Sequence, residues 1–147
     1  MTNQIYPCLW FDGQAKAAAD FYCSIFSQRD ESSKNSKITT DTPLVVNFEL
    51  NGKKFMGLNG GPQYKFSPAT SFVIECETQE EIDFYWGKLG DGGIYNQCGW
   101  LDDKFGVSWQ IVPTILGKLM ADPEKAPGVM QAFMQMKKFD IEKLMNA

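Results

Sequence analysis

With no histidine among its 147 residues, this chain must do any acid–base or ligand chemistry with carboxylates, amides, hydroxyls and thiols. Imidazole bases, Ser–His–Asp arrangements and imidazole metal ligands are excluded. Two carboxylates stand in strand-like runs: Glu49 in LVVNFEL (44–50) and Glu75 in SFVIEC (71–76). As a pair they suit general acid–base work or a hard metal ion. As single strand residues they are solvated, the usual state of Glu and the simpler reading. Gln110, between Trp109 and Ile111 in SWQIVP, is more pointed. A buried uncharged amide must find hydrogen-bond partners, and either a structural partner or a ligand would serve. Ser71, Trp100 and Ser108 occupy neighbouring strand positions and join Gln110 as candidate ligand-binding residues.

Asn59 opens N-G-G-P (59–62), whose backbone N–H groups could cradle an anion. It matches neither G-x-G-x-x-G nor G-x-x-x-x-G-K, so a plain turn is the simpler reading. The cysteines, Cys8, Cys23, Cys76 and Cys98, form no C-x-x-C pair, and without histidine no zinc site is expected. They read as buried free thiols of a cytoplasmic protein. Cys98 has no histidine or nearby cation to lower its pKa, so it reads as an inert thiol, not a nucleophile.

The elements that must position these residues follow from periodicity. Residues 5–11 form a continuous apolar run, which predicts a strand buried on both faces. Ala18, Phe21, Tyr22, Ile25 and Phe26 fall at helical spacing. The polar stretch 27–43 predicts a loop with a charged edge strand near 37–40. In 44–50, Val46, Phe48 and Leu50 alternate with Val45, Asn47 and Glu49, and Asn51-Gly52 predicts a hairpin into a strand at 54–58. Tyr64 and Phe66, in the turn-rich stretch that follows, suit a lid over a pocket.

At residue 70 the pattern restarts. Phe72, Ile74 and Cys76 alternate with Ser71, Val73 and Glu75. Thr78 and Glu81 make a capping box, and Ile82, Tyr85, Trp86 and Leu89 form a core stripe on a helix ending at Gly90. Strands are expected at 94–96, 99–102 and 108–112, then helices at 115–120, about 128–137, and one capped by Asp140. Asp20-Phe21-Tyr22 reappears as Asp83-Phe84-Tyr85 at the matching place. The result is an α+β protein of two βαβββ modules, about 1–62 and 68–113, with a C-terminal helical extension at 114–147. Side by side, the modules would form one curved mixed sheet around a cavity. Asn47, Glu49, Ser71, Glu75, Ser108, Gln110 and Val112 are the candidate lining, while Trp109 and Ile111 face the helices.

Composition narrows the function classes. A net charge of −4 with no basic cluster argues against a nucleic-acid groove or an anionic membrane surface. No apolar run is long enough to span a bilayer. The stretch MTNQIYPCLWF has no basic n-region or cleavage site, so a cytoplasmic location is expected. Aromatic residues reach 14%, which suits a lined cavity or an interface. Met120, Met130, Met134, Met136 and Met145 gather towards the C-terminus, as core filling or a dimer interface.

PCLWFDG (7–13) before an FY-containing helix, LNGGP (58–62), TQEEIDFYW (78–86) and CGWLDDKFGVSWQIVP (98–113) resemble the vicinal oxygen chelate superfamily of glyoxalases, bleomycin-resistance proteins and dioxygenases. They look most like its PhnB-like, demethylubiquinone 3-methyltransferase-like branch, from about residue 5 to the last helix. Metal-dependent members place one ligand on the first and last strand of each module. The resemblance puts those positions on Pro7, Leu58 or Asn59, Ser71 and Gln110. Such a set lacks the anionic or imidazole donors a divalent metal needs, so no metal and no cofactor is expected. The expectation is a metal-free small-molecule binding protein, a homodimer with an aromatic-lined cavity. The alternative is an enzyme of lyase, isomerase or transferase type on an oxygen-bearing substrate. It would use Glu49 or Glu75 as base and Asn59 and Gln110 as oxyanion donors. The C-terminal helices as a protein-docking surface are a third reading.

Overall fold

The computed structural model describes residues 3–29 and 35–147. Residues 30–34 of the expected loop, and the first two of the N-terminal stretch, lie outside the described residues. The chain divides into two compact units, Met1–Phe66 and Ser67–Ala147.

The first unit is one βαβββ module: β1 (Cys8–Phe11), α1 (Ala15–Ser27), β2 (Lys37–Asp41), β3 (Val45–Leu50) and β4 (Lys53–Asn59). Its sheet runs β1-β4-β3-β2, with β1 parallel to β4 and the other pairs antiparallel. The expected alternation in β3 holds: Val46, Phe48 and Leu50 are buried while Val45, Asn47 and Glu49 are half-buried. Ala15, Ala18, Ala19, Tyr22, Ile25 and Phe26 line the buried side of α1, and each large apolar side chain so removed from water stabilises the module by roughly 1.5–3 kcal/mol. The hairpin between β3 and β4 turns through Asn51 (φ 50°) and Gly52 (φ 80°), the left-handed pair that a two-residue turn demands.

The expected two-sided burial of the first strand is corrected. Leu9 and Phe11 are buried, but Cys8 is exposed, Trp10 is half-buried and Ile5 is 97% exposed. Only the Leu9 and Phe11 side of β1 packs into the core, and an apolar run cannot by itself reveal which faces are covered. The two aromatics expected in a lid pack back on β1. Tyr64 meets Trp10 edge-on at 5.0 Å and Phe66 meets Phe11 at 5.3 Å. The Trp10 indole donates to the Gly61 carbonyl at 2.8 Å.

The second unit repeats the plan with β5 (Ser71–Cys76), α2 (Gln79–Gly90), β6 (Ile94–Tyr95), β7 (Trp100–Asp102) and β8 (Ser108–Pro113), in the order β5-β8-β7-β6. β5 is parallel to β8, as β1 is to β4, so the two halves share one topology. Ile82, Tyr85, Trp86 and Leu89 form the buried stripe of α2. The Thr78 hydroxyl accepts from the Glu81 backbone N–H at 3.2 Å, as the capping signal predicts. Trp109 and Ile111 are buried as expected.

Three further helices follow, α3 (Ile115–Ala121), α4 (Ala126–Met134) and α5 (Ile141–Met145). α4 starts earlier and ends earlier than expected, because Pro127 sits in its first turn, where a missing N–H costs nothing. α5 is capped by Asp140, whose carboxylate accepts from the Lys143 N–H at 3.1 Å. The stretch before α5 is pinned to the module. Backbone N–H groups of Cys98 and Gly99 donate to the carbonyls of Met136 and Lys137, both at 2.8 Å. Gly99 (φ 79°) lies so close to the Phe139 ring that a Cβ there would stand 2.4 Å from it, which only glycine permits.

Candidate functional site

The second module brings several of the candidate residues together on one sheet face. Strand register places Ser71 opposite Ser108, Val73 opposite Gln110 and Glu75 opposite Val112. Across the next pair, Trp100 lies opposite Gln110 and Asp102 opposite Ser108. Partners in register project to the same side, so Ser71, Glu75, Trp100, Asp102, Ser108 and Gln110 share a face. The alternate residues Leu101, Trp109 and Ile111 are buried on the other side.

Hydrogen bonds organise this face. The Gln110 side-chain amide donates to the Ser71 hydroxyl at 3.0 Å. The Ser108 hydroxyl, 1% exposed, donates to Asp102 Oδ1 at 2.7 Å, short enough for a charge-assisted bond. Trp100 and Gln110 are half-buried and Glu75 is exposed.

Asp102 is the residue that sequence reasoning missed. It stands two positions after Trp100 in the same strand, and that spacing alone puts both on one face. Its neighbour Asp103 does structural work instead. Asp103 is buried and accepts from the backbone N–H groups of Phe105 (2.8 Å) and Val107 (3.1 Å) and from the Trp109 indole (2.9 Å). A carboxylate two residues before an acceptor-seeking N–H is a local turn signal, and it was present in the sequence.

The first module distributes its candidates differently. Glu49 lies between Lys37 and Lys54 in strand register, a cross-strand arrangement of alternating charge. Lys54 is itself stacked over the Tyr6 ring at 4.0 Å. Asn59 lies opposite Phe11, and its amide braces the fold: Oδ1 accepts from the Ala15 N–H at 2.9 Å and Nδ2 donates to the Pro43 carbonyl at 3.0 Å. It therefore supplies the first turn of α1 with the acceptor that the capping residue, Gln14, does not provide. Asn47, on the opposite face, carries a buried Oδ1 with no hydrogen-bond partner.

The thiols correct the expectation of uniform burial. Cys76 is buried, Cys23 and Cys98 are half-buried, and Cys8 is exposed. Burial, assisted by the Asp20 charge, pushes the Cys23 thiol up to about 11. Partial desolvation also raises that of Cys8. Cys98 points its sulfur at the Phe133 carbonyl, 3.6 Å away.

The metal-ligand positions that the resemblance implies do not make a metal centre. Pro7 has no side-chain donor, Leu58 is apolar, and the Asn59 amide is held by Ala15 and Pro43. Ser71 and Gln110 bond each other. Neutral donors of this kind do not fit a divalent cation. Among the described residues, no group of three or more His, Cys, Asp or Glu side chains gathers to hold one.

A cavity of about 670 Å³ lies elsewhere in the second unit, where α2 and α5 begin, lined by Glu77, Thr78, Gln79, Asp140, Ile141 and Glu142 among others. Thr78, Gln79 and Asp140, half of its polar lining residues, are engaged in the fold. Thr78 and Asp140 are helix caps. Gln79 donates to the Phe139 carbonyl and accepts from the Ile141 N–H, both at 2.9 Å. The sheet face around Gln110 is the better candidate, because its polar groups are not needed to finish a helix.

Known structures bear on this geometry. A PhnB protein from Bacillus cereus is 32% identical, with a TM-score of 0.65, over 76% of this chain and 100% of that one. A Pseudomonas aeruginosa protein aligns at 16% identity and a TM-score of 0.62, over 76% of this chain and 98% of that one. A genomically encoded fosfomycin resistance protein from Listeria monocytogenes, solved with Mn(II) and sulfate, aligns at 14% identity and a TM-score of 0.56, over 82% and 98%. The last two share the fold alone. No curated protein matches the chain. The duplicated βαβββ plan is thus that of the glyoxalase, or vicinal oxygen chelate, fold. The 3-demethylubiquinone-9 3-methyltransferase family matches residues 3–112, and the chain belongs to that family, the PhnB-like branch of the superfamily.

Proposed function

We propose that this protein binds a small organic molecule without a divalent metal, and that the sheet face of the second module around Gln110 recognises it. The observation that carries this reading is the Ser71–Gln110 hydrogen bond set between Trp100 and the Asp102–Ser108 pair. A polar amide fixed by one neighbour, beside a large half-buried aromatic, is the mixture of oriented polar group and apolar surface that ligand sites use. Asn59 is left out of the ligand set because its amide serves α1 and Pro43.

A catalytic reading keeps the same face, with Glu75 as base. It is favoured by the position of Glu75 on that face, opposite Val112. Glu49 is less suited to the role, having lysines as neighbours on both flanking strands. Methyl transfer, the reaction in the family name, finds no support in either module, since methyl donors are usually held on a doubly wound sheet with a Gly-rich first turn. A cytoplasmic homodimer belongs to the same proposal. It is supported by four free cysteines and by Met130 and Met134, exposed one turn apart on α4.

The test is a small-molecule screen by ligand-observed NMR, repeated on Gln110→Ala and Trp100→Leu. Hits that disappear in both variants, with circular dichroism and melting temperature preserved, support the reading. Hits that persist in both place the ligand elsewhere and defeat it. Turnover of any hit that is lost in Glu75→Gln would favour the enzyme.

A further inference from the structure

The open face of the second module carries charge of one sign only. Its charged side chains are Asp102 and Glu75, and its other members are Ser71, Val73, Ile94, Trp100, Ser108, Gln110 and Val112. The unit from Ser67 onward contains no arginine, and none of its lysines falls on these strands. Lys104, the closest in sequence, holds its ammonium over the Phe105 ring at 5.6 Å.

The hydrogen-bonding capacity left on this face includes two unused acceptors. Ser108 occupies Asp102 Oδ1, leaving Oδ2. Gln110 uses its donor on Ser71, leaving its carbonyl oxygen. These two acceptors stand beside the π-face of a tryptophan, with the Ser71 hydroxyl and the second Gln110 amide N–H as neutral donors.

The first module supplies an independent observation. In its register Cys8, Met56 and Asn47 form a row, as Ser71, Ser108 and Asp102 do in the second. Cys8 and Ser71 are as far apart in sequence as the repeated Asp20 and Asp83, so Asn47 and Asp102 are equivalent positions of the duplication. There the first module leaves a buried acceptor, Asn47 Oδ1, without a donor. An orphaned buried acceptor destabilises the free protein, so the first module, like the second, carries an unmet acceptor at this position.

Building on the open-face reading above, we propose that the ligand is an organic cation, an ammonium group on an apolar body. Asp102 meets the charge, with Glu75 adding to the field, and Trp100 takes the cation against its ring. Carboxylate and indole together attract a cation through charge and ring quadrupole. The same face disfavours carboxylates, sulfates and phosphates, because it sets two negative charges against them and offers only neutral donors.

The test uses three probes of one shape: phenethylamine, phenethyl alcohol and hydrocinnamate. Each is titrated into the ¹⁵N-labelled protein, following the Trp100 indole signal, which is assigned by its loss in Trp100→Phe. The amine is expected to shift that signal at millimolar concentration, more weakly as salt is added, and the other two are not. Asp102→Asn keeps an acceptor for Ser108 and should weaken amine binding on the order of tenfold. Should that variant fail to fold, Glu75→Gln, at an exposed position, should weaken it in the same direction. Equal binding of the alcohol or the carboxylate, or amine binding indifferent to the charge-removing variant that folds, overturns the proposal, as does a Trp100 signal that no probe moves. Carboxylate binding that is lost in Gln110→Ala would overturn the cation assignment while leaving the open-face reading intact.

Discussion

Trp109 donates its indole N–H to Asp103 at 2.9 Å, and both residues are almost wholly buried. The same carboxylate takes two backbone N–H groups of the turn at 103–107, so one side chain closes the β7–β8 connection and locks the core tryptophan. Asp103→Asn puts an amide N–H₂ or an uncharged oxygen against three donors, and should cost about 3 kcal/mol or more. Urea unfolding with the slope unchanged is the measurement. A loss well under 1 kcal/mol would mean the turn holds by other means.

Asn59 separates a structural role from a binding one. Asn59→Ala removes the acceptor for the α1 N-terminus and should destabilise by about 1–2 kcal/mol. Asn59→Asp keeps that acceptor and adds a negative charge where the helix dipole favours it, but sets a carboxylate oxygen against the Pro43 carbonyl that Nδ2 serves, so it should also destabilise. Neither should alter binding at the Gln110 face. A variant that kept its melting temperature and lost ligand would return Asn59 to the site.

The thiols predict a pH dependence with a definite sign. Cys23 has its pKa raised from 9.0 to about 11, so the folded state favours the neutral thiol. Its contribution to stability is complete below the unfolded value near 9 and is lost as pH rises towards 11. Alkylation by iodoacetamide, followed residue by residue in the mass spectrometer, should give Cys23 a midpoint near 11. Cys8, although exposed, should react more slowly at neutral pH than a free thiol, since its pKa is also raised. An ordinary thiol midpoint at Cys23 would contradict its packing beneath Glu49, whose carbonyl lies 3.9 Å from the sulfur.

Local period made most of the fold legible. Val46, Phe48 and Leu50 in β3, and Ile82, Tyr85, Trp86 and Leu89 in α2, announce their faces through spacing alone. The duplication was legible because Asp-Phe-Tyr returns at the same place in each helix. What failed depended on partners distant in sequence. β1 reads as doubly buried until it is known that only one of its faces is covered, and Asn59 reads as a site residue until Ala15 is seen to need its oxygen. Of the candidate site, Ser71, Ser108, Gln110 and Trp100 were named and do share a face. Asp102 was not among them, although a two-residue period links it to Trp100.

The pinning of Cys98 and Gly99 by Met136 and Lys137 orders events during synthesis on the ribosome. The first module's strand pairings all lie within residues 8–59, so it can close early in translation. The second cannot. Phe139 is the ring against which Gly99 sits, and Gln79 holds both sides of Asp140. Until residues 136–141 leave the exit tunnel, the turn that carries Trp100 towards its sheet lacks its clamps. The second half is therefore completed late in translation, after the first half already has every residue its strand pairings need.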